Sequence, residues 1–354
     1  RSGSCPALCR IGRTDGGEIV SACSISTAGN TLLMSASRRF RRIVETVLAY
    51  VGLAVIPLLS RRAILRAARR FGNAAYRISG RSRRVALANL DVAFVNTLTA
   101  EQKEAIARES FRTVALVTLD LFWFARNTAD RIKKHINVDS SSESLRAIKP
   151  AIAVTGHFGN WEILGQAVAL ADPPFLGVAA HLKNSSTDRL LTRLRSGGSQ
   201  RVAYREGAMR EAIHVLKEGG RVGLLLDQNI LPAAGGIFVD FFGLKVPMSS
   251  AAERLALRTG FPIVLGFCVP DGDGCYALHS PPAVMPSESL RGEGELTRTI
   301  ARILEEEIRR SPGRWLWMYK RWKYVPPGED VARYPFYARP IASAGKRQKK
   351  GDEA

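Results

Sequence analysis

Ala151-Ile-Ala-Val-Thr-Gly156-His157-Phe-Gly-Asn160-Trp161-Glu162 sets an apolar run, a glycine, a histidine and, five positions later, a carboxylate in one short stretch. Ala151 to Thr155 is brief, apolar and follows Pro150, so it reads as a buried strand. From Glu162 to Leu170 apolar residues recur at helical spacing, which puts His157 on the turn between strand and helix. On one continuous helix, residues five apart stand about 140° apart around the axis and share no face. With His157 in a loop and Glu162 in the first helical turn, the carboxylate can fold back onto one imidazole nitrogen. That contact would fix the tautomer and leave the other nitrogen as a general base. Asn160 suits the N-cap, and a carboxylate in the first turn suits the helix dipole. A histidine near a glutamate is equally an ordinary satisfied polar pair, and spacing alone does not separate the two.

Outward from this stretch, apolar runs alternate with helical ones. Strands are expected at 151–155, 176–180, 200–204, 222–226, 237–241, 262–269 and 275–279, and helices at 98–124, 162–170, 187–195, 207–217, 249–258 and 296–309. The alternation predicts one α/β domain over 84–330, a mainly parallel sheet flanked by helices, with a ligand cleft at the carboxyl ends of its strands. His157 and Asp227 each follow an apolar strand and so fall on that rim, although nothing in the sequence orders the strands. Thr99 and Gln102 have the spacing of a capping box at the head of the first long helix. Trp315, Trp317 and Tyr319 alternate among bases from Arg314 to Lys323 and read as a strand. The same interleaving also suits nucleic-acid stacking or a membrane interface.

A formal net charge of +20 implies anionic partners, either nucleic acid or anionic lipid. Between Arg38 and Arg84 stand thirteen arginines and a single acid, Glu45, so the charge is concentrated there. Inside that segment, residues 43–59 are apolar except for Glu45 and Thr46. As a helix they would reach roughly 25 Å, the short end for a bilayer span. Arginine flanks favour a membrane-anchor helix over a buried soluble one, and the larger basic cluster after it would keep the following domain cytoplasmic. Residues 1–33 are rich in Ser, Gly and Cys without periodicity and read as a disordered or non-native extension, with Met34 as the natural start. Segment 34–83 is then the basic anchor region and 331–354 a basic, disordered tail.

Cys5, Cys9 and Cys23 fall in the extension, leaving Cys268 and Cys275 for the domain, with no Cys-x-x-Cys pair to suggest zinc or a disulfide scaffold. Gly-x-Gly-x-x-Gly, a Walker motif and Gly-x-Ser-x-Gly are missing, so nucleotide cofactors and a nucleophile-elbow hydrolase have no support. His135, His181, His214 and His279 lack metal-ligand spacing, and neither a catalytic metal nor another cofactor is expected. Asp227-Gln228-Asn229 closes an apolar run and is either a solvated turn or a set of cleft residues. Lys183 and Arg195 flank a helix and either meet phosphates or stay solvated.

His157-Phe-Gly-Asn-Trp-Glu162 resembles the His-x-x-x-x-Asp/Glu signature of the lysophospholipid and glycerolipid acyltransferases. The form is that of the lipid A biosynthesis late acyltransferases, which add lauroyl or myristoyl groups. Further blocks follow in that family's order. They are Leu182-Lys183-Asn184 with Asp188 and Leu194-Arg195, Gly223-Leu-Leu-Leu-Asp227-Gln228-Asn229, and Gly236-Ile-Phe-Val-Asp-Phe-Phe-Gly243. Ala256-Leu-Arg-Thr-Gly260-Phe-Pro-Ile-Val and Trp315-Leu-Trp-Met-Tyr-Lys-Arg321-Trp322 complete the set. Ordered blocks are far more specific than a His/Glu spacing.

The resemblance implies O-acyl transfer from a thioester to a hydroxyl of an anionic lipid, which in lipid A is the hydroxyl of an attached 3-hydroxyacyl chain. It implies His157 as general base, Glu162 holding it, and Asn160, Lys183, Arg195, Asp227 and Gln228 as substrate-binding residues. Asp227 would orient the acceptor or support a basic residue, and Arg195 would meet phosphates. Backbone amides from Gly156 to Gly159 are expected to form part of the oxyanion site. An acidic acyl carrier protein is the expected donor, with coenzyme A as the alternative, and the bacterial inner membrane is the expected place of work, with the domain on its cytoplasmic side. Nucleic acid is expected to bind only non-specifically. A lysophospholipid or amino-acid lipid acceptor, water as acceptor, or a non-catalytic basic membrane-binding protein would leave the same motifs in place.

Overall fold

The computed structural model describes residues 26–138, 140–182, 184–196, 200–205, 207–290 and 292–341, with side chains from residue 40 onward apart from residue 41. Two compact units divide between Val47 and Leu48. Helix α1 (Ser26–Val55) contains that boundary, and α2 (Arg61–Ile78), α3 (Gly80–Ala93) and α4 (Ala100–Trp123) follow. The apolar segment 43–59 is not one continuous helix. It ends as α-helix at Val55, and Pro57 lies in a 3-10 turn over Ile56–Leu58, since proline has no N–H to continue the ladder. Among the described residues no helix is long and apolar enough to cross a membrane, so the expected spanning anchor is not present in that form. Leu48, Tyr50, Val51, Val55, Leu58 and Leu59 are nevertheless exposed.

The basic segment does not end where composition placed its boundary. Ile64, Ala68, Gly72 and Tyr76 recur every fourth residue on the buried face of α2, while Arg62, Arg66, Arg69 and Arg70 are exposed. Val85, Ala86, Asn89 and Leu90 of α3 are buried too, so the domain core begins before residue 84. Helix α4 opens with the expected capping box, Thr99 Oγ1 accepting from Gln102 N and Gln102 Oε1 accepting from Thr99 N.

The central sheet is built from β1 (Ala151–Thr155), β2 (Phe175–Ala179), β3 (Gln200–Tyr204), β4 (Arg221–Leu225) and, after a hairpin of β5 (Gly236–Phe241) and β6 (Leu244–Ser249), β7 (Ile263–Leu265). Its order is β3-β2-β4-β1-β7 and every pairing is parallel. Helices α5 (Trp161–Ala171), α6 (Ser185–Ser196), α7 (Ala208–Lys217) and α8 (Ala251–Thr259) lie between consecutive strands, and α9 (Glu295–Arg310) follows. Near-continuous apolar strands are what a parallel sheet covered on both faces requires. One core cluster packs Val154, Leu224, Ala212, Leu255 and Leu304 together, and a second packs Ala151, Ile163, Val168, Phe175 and Val264.

This order puts β1 and β4 side by side while their connections run apart. The chain leaves β1 for β2, beyond β4, and leaves β4 for β7, on the far side of β1. Ligand crevices in open α/β sheets form at such a reversal, outside the carboxyl ends of the strands.

Three further sequence expectations change. Residues 262–269 are two strands, β7 and β8 (Phe267–Pro270), interrupted at Gly266, and β8 leaves the central sheet to pair antiparallel with β9 (Tyr276–His279). The Trp315–Tyr319 alternation is not a strand. Trp315 makes one bridge to Phe158 and the chain then turns, with Trp315, Trp317 and Trp322 buried against one another and Phe241. In the tail, Tyr334 is buried and Arg339–Pro340 pairs with Tyr324–Val325, so 331–341 is packed structure. Residues 1–25 and 342–354 lie outside the described residues.

Candidate active site

Register brings the site together. Thr155 of β1 pairs with Leu225 of β4, so His157 and Asp227, each two residues further on, meet across the rim of the sheet. His157 Nδ1 lies 2.7 Å from Asp227 Oδ1, and the His157 backbone N–H donates to Asp227 Oδ2 at 2.7 Å. Trp315 Nε1 donates to the same Oδ2 at 2.9 Å. Leu316 N donates to the His157 carbonyl at 3.2 Å, so both the imidazole and its backbone are fixed. The Trp161 ring lies beside the imidazole, centroids 5.0 Å apart.

The turn that carries His157 depends on Gly159. Its φ is +59°, and a Cβ there would stand 2.1 Å from the Cys268 carbonyl oxygen, so both the conformation and the close approach require glycine. Gly159 N then donates to Arg314 O at 2.9 Å and Asn160 N to Cys268 O at 2.7 Å. These bonds and that of His157 N occupy three of the amides in and beside the expected oxyanion site. Two of the four expected oxyanion amides, those of His157 and Gly159, are therefore already engaged, and the expectation narrows to Gly156 and Phe158.

Glu162 does not hold His157. It sits in the first turn of α5 as expected, but Arg195 of α6 clasps it, Nε to Oε2 at 2.8 Å and Nη2 to Oε1 at 2.5 Å. The five-residue spacing points to the nearest carboxylate along the chain, whereas the sheet supplies a nearer one in space, Asp227. Arg195, expected to meet phosphates, has two nitrogens engaged by Glu162; burial opposes its charge, yet Glu162 prevails and raises its pKa above the ordinary value.

Asn160 is wholly buried and faces away from the cleft. Its Oδ1 caps α5 by accepting from Ile163 N at 3.2 Å, and its Nδ2 donates to Asp120 Oδ2 and Tyr276 Oη. Arg61 pairs with the same Asp120, which makes this arginine structural rather than part of the basic surface. Asn160 is therefore a packing residue instead of a substrate contact. Lys183 lies outside the described residues.

Electrostatics follow from the contacts. Burial disfavours the imidazolium, but the charge and hydrogen bond of Asp227 outweigh it and hold His157 above the usual histidine range. Burial also disfavours ionised Asp227, and the charge of His157 together with bonds from His157 and Trp315 keeps that carboxyl below its ordinary value. With Nδ1–H facing the carboxylate, Nε2 carries the lone pair. Gln228 Nε2 lies 3.3 Å from it. His157, Gln228, Glu162 and Arg195 line a cavity of about 700 Å³ whose other walls are mainly apolar, including Leu164, Leu191, Leu225 and Leu255. A base directed into an apolar, lipid-sized cavity suits proton abstraction from a hydroxyl with a long chain nearby.

The chain is similar to known acyltransferases. Over 255 residues the chain is 26% identical to the lipid A biosynthesis palmitoleoyltransferase of Escherichia coli, covering 70% of this chain and 80% of that protein. It is 24% identical over 268 residues to the lipid A biosynthesis lauroyltransferase of the same organism, 73% and 84% of the two chains. A phosphatidylinositol mannoside acyltransferase of Mycolicibacterium smegmatis is 26% identical over 191 residues, 53% and 61%. Among solved structures, a 1-acyl-sn-glycerophosphate (LPA) acyltransferase from Thermotoga maritima overlays with a TM-score of 0.34 at 16% identity, covering 66% of this chain and 98% of that one, too loose a likeness to bear on the site. The family model for the bacterial lipid A biosynthesis acyltransferases matches residues 34–324, and the chain belongs to that family of acyltransferases.

Proposed function

We propose that this protein transfers a fatty acyl group from a thioester, carried by an acidic acyl carrier protein, to a hydroxyl of an anionic lipid A-like acceptor at the cytoplasmic face of the bacterial inner membrane. The observation that carries this reading is the contact of Asp227 with His157, which lines a mainly apolar cavity. His157 Nε2 removes the acceptor hydroxyl proton as the oxygen attacks the thioester carbon. The tetrahedral intermediate then expels the thiolate, and the imidazolium returns the proton to sulfur. A thioester is already activated, so base catalysis and oxyanion stabilisation suffice, the former contributing about 10²- to 10⁴-fold.

Gln228 joins the Gly156 and Phe158 amides as a candidate oxyanion donor. Its carboxamide rests against Nε2, where the acceptor hydroxyl must arrive, and a small rotation would aim its N–H at the developing charge. Gln228→Leu is expected to lower kcat about 10²-fold with little change in KM, measured by steady-state transfer. A rise in KM with kcat intact would make it a ground-state binding residue instead.

The test of the function is mass spectrometry of products after the purified chain meets acyl carrier protein thioesters and a panel of acceptors. The panel comprises a lipid A precursor, a lysophospholipid and a phosphatidylinositol mannoside, the last because a mannoside acyltransferase is among the relatives. Acylated lipid A precursor is expected. Free fatty acid without lipid product would mean hydrolysis and overturn the reading.

Membrane association rests on the exposed Leu48, Tyr50, Val51, Val55, Leu58 and Leu59 followed by the exposed arginines of α2, an amphipathic surface suited to lying on an anionic bilayer. Each such arginine contributes about 1 kcal/mol near that surface. Replacing Arg62, Arg69 and Arg70 by Gln should weaken binding to anionic vesicles about 100-fold or more at low salt, leaving turnover on detergent-dispersed acceptor near the parent. Equal loss in both formats, with folding intact, would place these arginines in catalysis.

A further inference from the structure

The cavity below His157 opens onto both faces of the sheet, and its two sides differ. Toward α7 and α8 it carries Arg205, Ser249 and Arg254, whereas toward α5, beyond the Glu162–Arg195 pair, its walls are Leu164, Gly165, Val168 and Leu191. On the α5 side Ala153, Gly223 and Gly177 stand in one row across β1, β4 and β2. The sheet there offers a methyl and two missing side chains, level with a residue four before His157.

Two side chains close this space. A Cβ on Gly177 would meet Gln200 Nε2 at 2.3 Å, and a Cβ on Gly165 would meet Gln200 Oε1 at 3.0 Å, so the carboxamide reaches from the sheet to the helix above it. A Cβ on Gly223 would meet the Phe175 ring at 2.6 Å. Phe175 and Gln200 are neighbours in register on β2 and β3, and both line the cavity that reaches His157. Among the described residues no hydrogen-bond partner holds the Gln200 carboxamide.

We propose that Gln200, backed by Phe175, is the stop that sets the length of the acyl chain transferred. This inference rests on the acyl-transfer reading above. An alkyl chain entering from the thioester at His157 gains contact with each methylene along the apolar wall until its terminal methyl reaches the carboxamide. A longer chain must displace that amide or leave it stripped of water against hydrocarbon, both unfavourable. A shorter one leaves empty space before it. The glycines supply the room, and the carboxamide across it supplies the limit.

The experiment offers the full chain an equimolar series of saturated acyl carrier protein donors, short to long, and reads the acyl distribution of the lipid product. The parent should give a narrow distribution. Gln200→Ala should move its centre to longer chains by about two carbons, each additional buried methylene being about a fourfold gain. Gly177→Ala presses on the flexible end of Gln200, pushes the amide into the lumen and should move the distribution the other way. Should Gln200→Ala fail to fold, Gly177→Ala decides alone. An active parent whose distribution is unchanged in the folded variants overturns the proposal. A parent that acylates no acceptor with any donor instead overturns the acyl-transfer reading on which it rests.

Discussion

His157→Ala should lower acyl transfer about 10³- to 10⁴-fold while the protein still folds. The imidazole is the base assigned to the acceptor hydroxyl, and alanine leaves nothing in its place to take the proton. Folding should survive because the turn is fixed by backbone bonds, Gly159 N to Arg314 O, Asn160 N to Cys268 O and Leu316 N to His157 O, all of which alanine keeps. The measurement is single-turnover transfer with saturating donor, alongside thermal unfolding of both proteins. Transfer within a factor of a few of the parent would remove His157 from the chemistry.

Asp227→Asn should cost about 10²-fold or more, and the loss should be accompanied by a change in pH dependence. The carboxylate selects the Nδ1–H tautomer and stabilises the imidazolium formed during attack; a carboxamide does neither by charge and can present an N–H to Nδ1, selecting the wrong tautomer. Burial alone would lower the His157 pKa, and Asp227 reverses this. A general base must be neutral, so parent activity should fall as pH drops through a folded pKa lying above the ordinary value of about 6.5. In Asp227→Asn the larger upward influence is gone. The acid limb of the remaining activity should therefore move to lower pH, even though the plateau is reduced. A limb that stays in place would show that Asp227 does not set the charge state of His157.

Much of the fold was legible because its signals are local. The structure reproduces the limits of strands 151–155, a short apolar run, and 200–204, and Thr99 and Gln102 mark the start of α4 by chemistry confined to one turn. Leu244–Ser249 escaped because Pro247 interrupts the strand pattern and because its turn uses Phe242 and Gly243 at positive φ rather than an Asn-Gly pair. The tryptophans from 315 to 322 misled because alternation is read as a pleated strand, while three indoles here are buried on one another. At the site, His157 and Asp227 were each visible as polar residues ending an apolar strand, and Asp227 was expected to orient the acceptor or support a basic residue. That the basic residue is His157 depends on β4 lying next to β1, and strand order is a non-local property that spacing does not encode. Glu162 drew the assignment by closeness along the chain; its partner Arg195 is thirty-three residues away in sequence.

The direct test of the dyad sets Asp227→Asn against Glu162→Gln in one transfer assay at the pH optimum of the parent, with His157→Ala as the floor. Glu162 influences His157 through space and is offset by its own partner Arg195, while Asp227 touches the ring. Expected is a loss of about 10²-fold or more for Asp227→Asn and of less than about tenfold for Glu162→Gln. A Glu162→Gln protein as inactive as His157→Ala, beside an Asp227→Asn protein near parental activity, would contradict the assignment of Asp227 as the residue that holds the catalytic base.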